Sequence, residues 1–178
     1  IYTKSMRMSE LITMLFEYVK MDSEGFVLHK DKTDLGELLR ENIALLYTDF
    51  EGKGMELEID IPERAFPMEL DKNQMSRVIT NILTNALKYN EAGTKVLVRL
   101  DEDYCIYIAD TGALIETELA AHIFEPFSRG DRARSTKGGS GLGLSIARKI
   151  VEMHGGSLRL STTFGDGYSK AFIIELHP

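Results

Sequence analysis

The 178-residue chain has one cysteine, no tryptophan and four prolines. A single thiol, Cys105, excludes an intrachain disulfide framework and a zinc site built on cysteines. It lies in the apolar run YCIYIA, where it is expected to be a small buried hydrophobe. No apolar stretch reaches the ~18 residues that cross a bilayer, and no signal peptide is visible. Positive charge is also short. The 21 Lys and Arg stand against 28 Asp and Glu, a net −7, which is the reverse of the basic surface that general nucleic-acid binding needs. Repeats and low-complexity tracts are missing too. What is present is ordinary for one globular domain with a real core: 43% hydrophobic and 28% charged residues. The chain opens at Ile1 inside a helical pattern and is expected to be a piece of something longer.

Residues 1–20 read as a helix, with Met8, Ile12, Leu15 and Val19 forming a heptad-like seam. Either this seam packs on its own domain or its partner helix lies outside the chain, and the second reading is preferred because no further helix follows closely. A turn and a short strand are expected in MDSEGFVLHKDKTD. Asp34 and Glu37 then have capping-box spacing, opening a helix to about Phe50 with Leu35, Leu38, Leu39, Ile43 and Leu46 inward. MELEIDI (55–61) alternates as a strand should, and AFPMEL (65–70) does so more weakly. Asp71 and Gln74 repeat the capping signal before the helix NQMSRVITNILTNALKYN. KVLVRLD and YCIYIAD form an expected hairpin around Glu102-Asp103, and a short helix is placed near 116–124. A glycine-rich segment, a helix over 142–154, and the strands SLRLSTTFG and YSKAFIIEL complete the chain. The pattern predicts an α/β (α+β) two-layer sandwich: a mixed, mainly antiparallel sheet with helices on one face.

Three segments carry chemistry. On the helix 73–89, Met75, Ile79, Ile82 and Ala86 share one face, flanked by Val78 and Leu83. Asn81, Asn85 and Lys88 form a separate stripe about 60° wide. Asparagine is a mediocre helix former, so two of them mid-helix cost stability unless their amides are used; taken alone, the stripe could equally be a plain solvent-exposed face. An amide oxygen can ligate Mg²⁺, its NH₂ can donate to a phosphate oxygen, and a lysine one turn on adds a point charge. Next, Asp110 ends an apolar strand and is followed by Thr111-Gly112. A carboxylate there can accept from a base amine while the glycine permits close approach, although Asp–Gly pairs also mark plain turns. Third, SRGDRARSTKGGSGLGL carries Arg129, Arg132, Arg134 and Lys137 against Asp131. A basic loop leading into a glycine-rich helix start suits a polyphosphate, and taken alone it reads equally well as a solvated flexible loop.

Two common fingerprints fail at that glycine-rich start. Gly138 and Gly143 have P-loop spacing and Ser145 fits, but Leu144 stands where the lysine belongs. A dinucleotide fold needs a strand running directly into the glycines, and here a charged loop precedes them.

The order Asn81-x-x-x-Asn85-Ala86-x-Lys88-Tyr89, Asp110-x-Gly112, Phe124-Glu125-Pro126-Phe127 and Gly139-Ser140-Gly141-Leu142-Gly143-Leu144 resembles the N, G1, F and G2 boxes of sensor histidine kinases, within the GHKL ATPase superfamily. The resemblance spans the whole chain. KSMRMSELITMLFEYVKMDS is similar to the second helix of that family's dimerisation and phosphoacceptor hairpin, so residues 1–22 and 23–178 are expected as hairpin helix and catalytic domain. The resemblance implies a Bergerat-type fold binding ATP and Mg²⁺ under a mobile lid. It implies that Asn85 ligates Mg²⁺ with Asn81 in support, that Lys88 reaches the terminal phosphates, and that Tyr89 lines the pocket. Asp110 would accept from the adenine amine beside Gly112. Arg129 and Lys137 match basic lid positions, and Gly139, Gly141 and Gly143 would let the backbone approach the phosphates. Phe127, Leu142 and Leu144 are carried with their boxes as nucleotide-site residues.

Two departures stand out. Leu114 occupies the place of the second G1 glycine. None of His29, His122, His154 and His177 has the phosphoacceptor context, and His154, before Gly155-Gly156, is expected to end a helix. The implied function is the catalytic half of a histidine kinase whose acceptor histidine lies elsewhere. Its implied partners are a response regulator and, through the hairpin, a second copy. Its implied setting is the cytoplasmic portion of a sensor anchored by segments absent here. The competing reading is a GHKL nucleotide-binding module without histidine kinase activity, either a degenerate sensor or an anti-sigma-type serine kinase.

Overall fold

Period-2 alternation on either side of Glu102-Asp103 builds the centre of the molecule. In the computed structural model, which describes residues 2–21, 25–128 and 140–178, β4 (Lys95–Leu100) and β5 (Cys105–Asp110) pair as an antiparallel hairpin. Together with β2 (Glu56–Asp60), β6 (Ser157–Ser161) and β7 (Lys170–Glu175) they form a five-stranded sheet in the order β2-β4-β5-β7-β6. Only β2 runs parallel to its neighbour. The remaining strands, β1 (Asp31–Asp34) and β3 (Pro67–Leu70), make a separate antiparallel ribbon.

One sheet face carries Val96, Val98, Leu100, Ile106, Ile108, Phe172 and Ile174 into a core shared with the helices. Those helices are α2 (Leu35–Gly52), α3 (Lys72–Tyr89) and α5 (Gly143–Met153), with the short α4 (Thr117–His122) preceding α5 in the chain. The opposite face holds a smaller cluster, Leu97, Ala109, Tyr168, Ala171 and Ile173, to which no helix contributes among the described residues. Helices on one face and a mixed, mainly antiparallel sheet are as the residue pattern predicts. Cys105 differs from expectation: it is half-buried, because it shares its parity with Tyr107 and Ala109 and so falls on the helix-free face.

Helix α1 (Tyr2–Met21) has two apolar sides. Met14, Tyr18 and Met21 pack on the domain core, aided by an Arg77–Glu17 ion pair at 2.5 Å and by Lys149 over the Tyr18 ring. Met8, Ile12, Leu15, Phe16 and Val19 are exposed. The predicted seam is therefore an exposed stripe among the described residues.

Capping follows the sequence in part. Asp34 Oδ1 accepts from Gly36 N at 2.9 Å and from Phe66 N at 3.1 Å, tying α2 to the β3 side. Asp71 Oδ1 accepts from Gln74 N at 3.1 Å, but the reciprocal half of the capping box is missing. The Asp71 N–H instead donates 3.0 Å to Nε2 of buried His154, whose Nδ1–H donates 2.7 Å to Ile150 O. Gln74 Oε1 is consequently buried without a partner among the described residues. His154 does end α5, as expected, and it also joins that end to the start of α3.

Candidate functional site

The site is assembled around α3. Its apolar face, Met75, Val78, Ile79, Ile82, Leu83 and Ala86, is buried, which fixes the helix rotation and leaves Asn81, Asn85 and Lys88 half-buried on another side. Asn81 Nδ2 donates to Gly143 O at 3.1 Å, so the first asparagine clips α3 to the first residue of α5. Asn85 is different: among the described residues its amide makes no hydrogen bond. Lys88 holds its ammonium 5.1 Å from the centre of the exposed Tyr89 ring. Lys53 supplies a cation at the helix's C-terminal end, donating to Leu87 O and, at 2.7 Å, to Asn90 O.

Asp110 stands at the end of β5, 5% exposed, and its carboxylate organises the following turn. Oδ1 accepts from Gly112 N at 2.9 Å and from Lys170 Nζ at 2.5 Å. The same ammonium donates 2.7 Å to Ala113 O. Ser169 adds its N–H and Oγ to Asp110 O, each at 2.9 Å, and its Oγ to Gly112 O at 2.7 Å. Gly112 is required by space. A Cβ there would fall 1.8 Å from Asn90 Oδ1, which shows how closely the Asp110 turn abuts the end of α3. Leu114, in place of a second glycine, points its side chain outward.

The third and fourth segments meet each other. Phe127, at φ +63°, donates its N–H to Gly141 O at 2.9 Å. Gly141, at φ +71°, leaves no room for a side chain, since a Cβ would lie 2.8 Å from Phe127 Cα. Both the left-handed backbone and the close approach call for glycine. Leu142 N donates to Ser140 Oγ at 3.1 Å. The Leu142 side chain is wholly within the core, and Leu144 packs partly against it. With its side chain buried, Leu142 has its main chain to offer a ligand. Arg129, Lys137 and Gly139 lie outside the described residues.

Three contacts thus join four stretches distant in sequence: Asn81 with Gly143, Asn90 with Gly112, and Phe127 with Gly141. The same segments carry an amide with no hydrogen bond among the described residues, Asn85, the lysine Lys88, and at the end of β5 the buried Asp110 carboxylate. Such a set suits an anionic ligand with a donor-bearing ring better than it suits a metal alone. Sequence reasoning missed Lys170, Ser169, Asn90 and Lys53. Lys170 had a visible signal, because it occupies an inward position of an apolar strand with Phe172 and Ile174, where an unpaired lysine is not expected. The Asn90 and Lys53 contacts depend on long-range packing and left no local trace.

Comparison with known proteins agrees with this geometry. The family described as histidine kinase-, DNA gyrase B- and HSP90-like ATPases matches residues 70–178. Sensor protein SrrB of Staphylococcus aureus is 31% identical over 97% of this chain, which spans 30% of that relative's length. The nucleotide-free catalytic domain of histidine kinase ThkA superposes with a TM-score of 0.72 at 25% identity, over 84% of this chain and 97% of that one. ThkA in complex with the response regulator TrrA gives a TM-score of 0.75 at 24% identity, over 97% of this chain and 48% of that chain.

Proposed function

The chain is a histidine kinase-type member of the histidine kinase-, DNA gyrase B- and HSP90-like ATPase family, and from that premise we propose that it is the ATP-binding catalytic domain of a sensor histidine kinase. In the whole protein, the γ-phosphoryl of ATP passes to a histidine outside this chain and then to an aspartate of a response regulator. The observation that carries this reading is Asn85. A half-buried mid-helix amide with no bond among the described residues costs helix stability and returns nothing unless it serves a ligand.

Each residue then has a task. Asn85 is the protein ligand for Mg²⁺, an ion that commonly takes one or two protein oxygens and completes its shell with water and substrate phosphates. When bound, that ion neutralises charge on the phosphates. Asn81 positions rather than reacts, because its amide is committed to Gly143 O. Lys88 offers its charge to the phosphates, with Arg129 and Lys137 adding theirs from the basic segment. Tyr89 and Phe127 border the nucleotide, and Asp110 accepts from the adenine amine. Transfer of this kind relies on positioning and charge neutralisation more than on covalent help from the protein. Residues 1–22 serve as the second helix of a dimerisation hairpin, and 23–178 form the catalytic domain. The exposed stripe of Met8, Ile12, Leu15, Phe16 and Val19 supports that division, since it is the length and spacing of a helix-pairing seam. The domain works on the cytoplasmic side of a membrane-anchored sensor; no helix among the described residues is itself long and apolar enough to cross a membrane.

The test is made on the full-length protein with Mg²⁺ and γ-labelled ATP. It should acquire label that is lost in acid and retained in alkali, as a phosphohistidine is, and Asn85→Ala should abolish the labelling. Acid-stable label would instead place transfer on serine or threonine, and no label would reduce the chain to a nucleotide-binding module.

A further inference from the structure

Lys170 is unusual on its own terms. It is 7% exposed and lies on the helix-facing side of β7, in line with the core residues Phe172 and Ile174. Lysine is almost never buried this deeply without a partner. Its partners are all in one place: Oδ1 of Asp110 at 2.5 Å and the carbonyl of Ala113 at 2.7 Å. With Ser169, which holds Asp110 O and Gly112 O, it clamps the whole 110–113 turn from the neighbouring strand. Lys170 is the only residue outside that turn to bond the Asp110 side chain among the described residues.

The two carboxylate oxygens are left in different states. Oδ1 accepts from both Gly112 N and Lys170 Nζ, whereas Oδ2 carries no hydrogen bond among the described residues. A buried ion pair is tolerated when the remaining lone pairs are satisfied as well, so a half-satisfied carboxylate here is an acceptor waiting for a donor. Lys170 also places a positive charge directly against this buried carboxylate.

We propose that Lys170 is a positioning residue for base recognition: it fixes Oδ1 of Asp110 so that Oδ2 is presented to the exocyclic amine of an adenine nucleotide. The proposal rests on the nucleotide reading above. Lys170 does not itself touch the base; it sets the angle of the group that does. Without it, the carboxylate is held by Gly112 N alone and is free to turn about that one bond, and the amine loses its fixed acceptor.

The experiment compares two ligands on the same protein by calorimetry, ATP and the purine riboside triphosphate that lacks the 6-amino group. The unaltered chain binds ATP more tightly than the desamino nucleotide. Lys170→Met should weaken ATP about tenfold, the size of one hydrogen bond to a charged group, and leave the desamino nucleotide unchanged. Equal losses for both ligands would mean a merely structural ion pair and overturn the proposal, as would unchanged ATP affinity. If the unaltered chain binds neither ligand, the nucleotide reading fails and takes this proposal with it. Should Lys170→Met not fold, the crystal structure of the unaltered chain with a non-hydrolysable ATP analogue decides. Lys170 Nζ must remain on Asp110 Oδ1 with the base amine on Oδ2; a lysine that leaves the carboxylate when nucleotide enters overturns the proposal.

Discussion

At the scale of single residues, His154 joins two helix ends through a neutral ring. Nε2 accepts from Asp71 N, so it carries no proton, and Nδ1–H donates to Ile150 O. Burial, aided by Lys30, holds this imidazole below its usual range near 6.5, outweighing the Ile150 carbonyl and Asp71, which act the other way. The sign follows: as pH falls through about 6.5 the unfolded chain takes up a proton while the folded chain resists it. Stability should therefore fall as pH drops below about 6.5 and level off below the depressed folded-state value. Urea denaturation at pH 7.5 and 5.5 checks this, and His154→Gln should flatten the difference. A second residue-scale prediction concerns Gly112. With a Cβ 1.8 Å from Asn90 Oδ1 and 2.9 Å from Asp110 Oδ1, Gly112→Ala should cost about 1–3 kcal/mol in the same assay and weaken nucleotide binding together with it.

At the scale of elements, α1 behaves as two half-helices back to back. Met21 is buried against the domain, so Met21→Ala should lower stability by about 2 kcal/mol. Phe16, 74% exposed, should tolerate serine within about 0.5 kcal/mol, while any self-association of the chain weakens. Thermal unfolding reads the first effect and analytical ultracentrifugation the second. The heptad seam was legible because its spacing is local. The docking face of Met14, Tyr18 and Met21 was not, since it is recognisable only once Arg77 and Lys149 are seen across from it. Helix α3 was the most readable element: its apolar face and its polar stripe are separable at about 100° per residue, and every residue of the predicted face is buried. Gln74 is the counterexample. Its capping-box spacing is right, yet His154, eighty-three positions from Asp71, takes the bond.

At the scale of the whole molecule, each strand was visible as alternation, but the sheet order β2-β4-β5-β7-β6 was not. Nothing local says that β2 pairs parallel to β4, or that β1 and β3 leave the sheet for their own ribbon. Motif order carried the site further than pairing rules could, bringing Asn81, Asn85, Asp110, Phe127 and Gly141 into one neighbourhood of the fold. The central claim is that this neighbourhood binds Mg-ATP through Asn85. Calorimetric titration of the chain with a non-hydrolysable ATP analogue and Mg²⁺ tests it most directly. The account predicts saturable one-to-one binding that Asn85→Ala abolishes while the circular dichroism spectrum is unchanged and the melting temperature holds or rises slightly. A folded Asn85→Ala variant with undiminished affinity, or an unaltered chain that takes up no nucleotide, would contradict it.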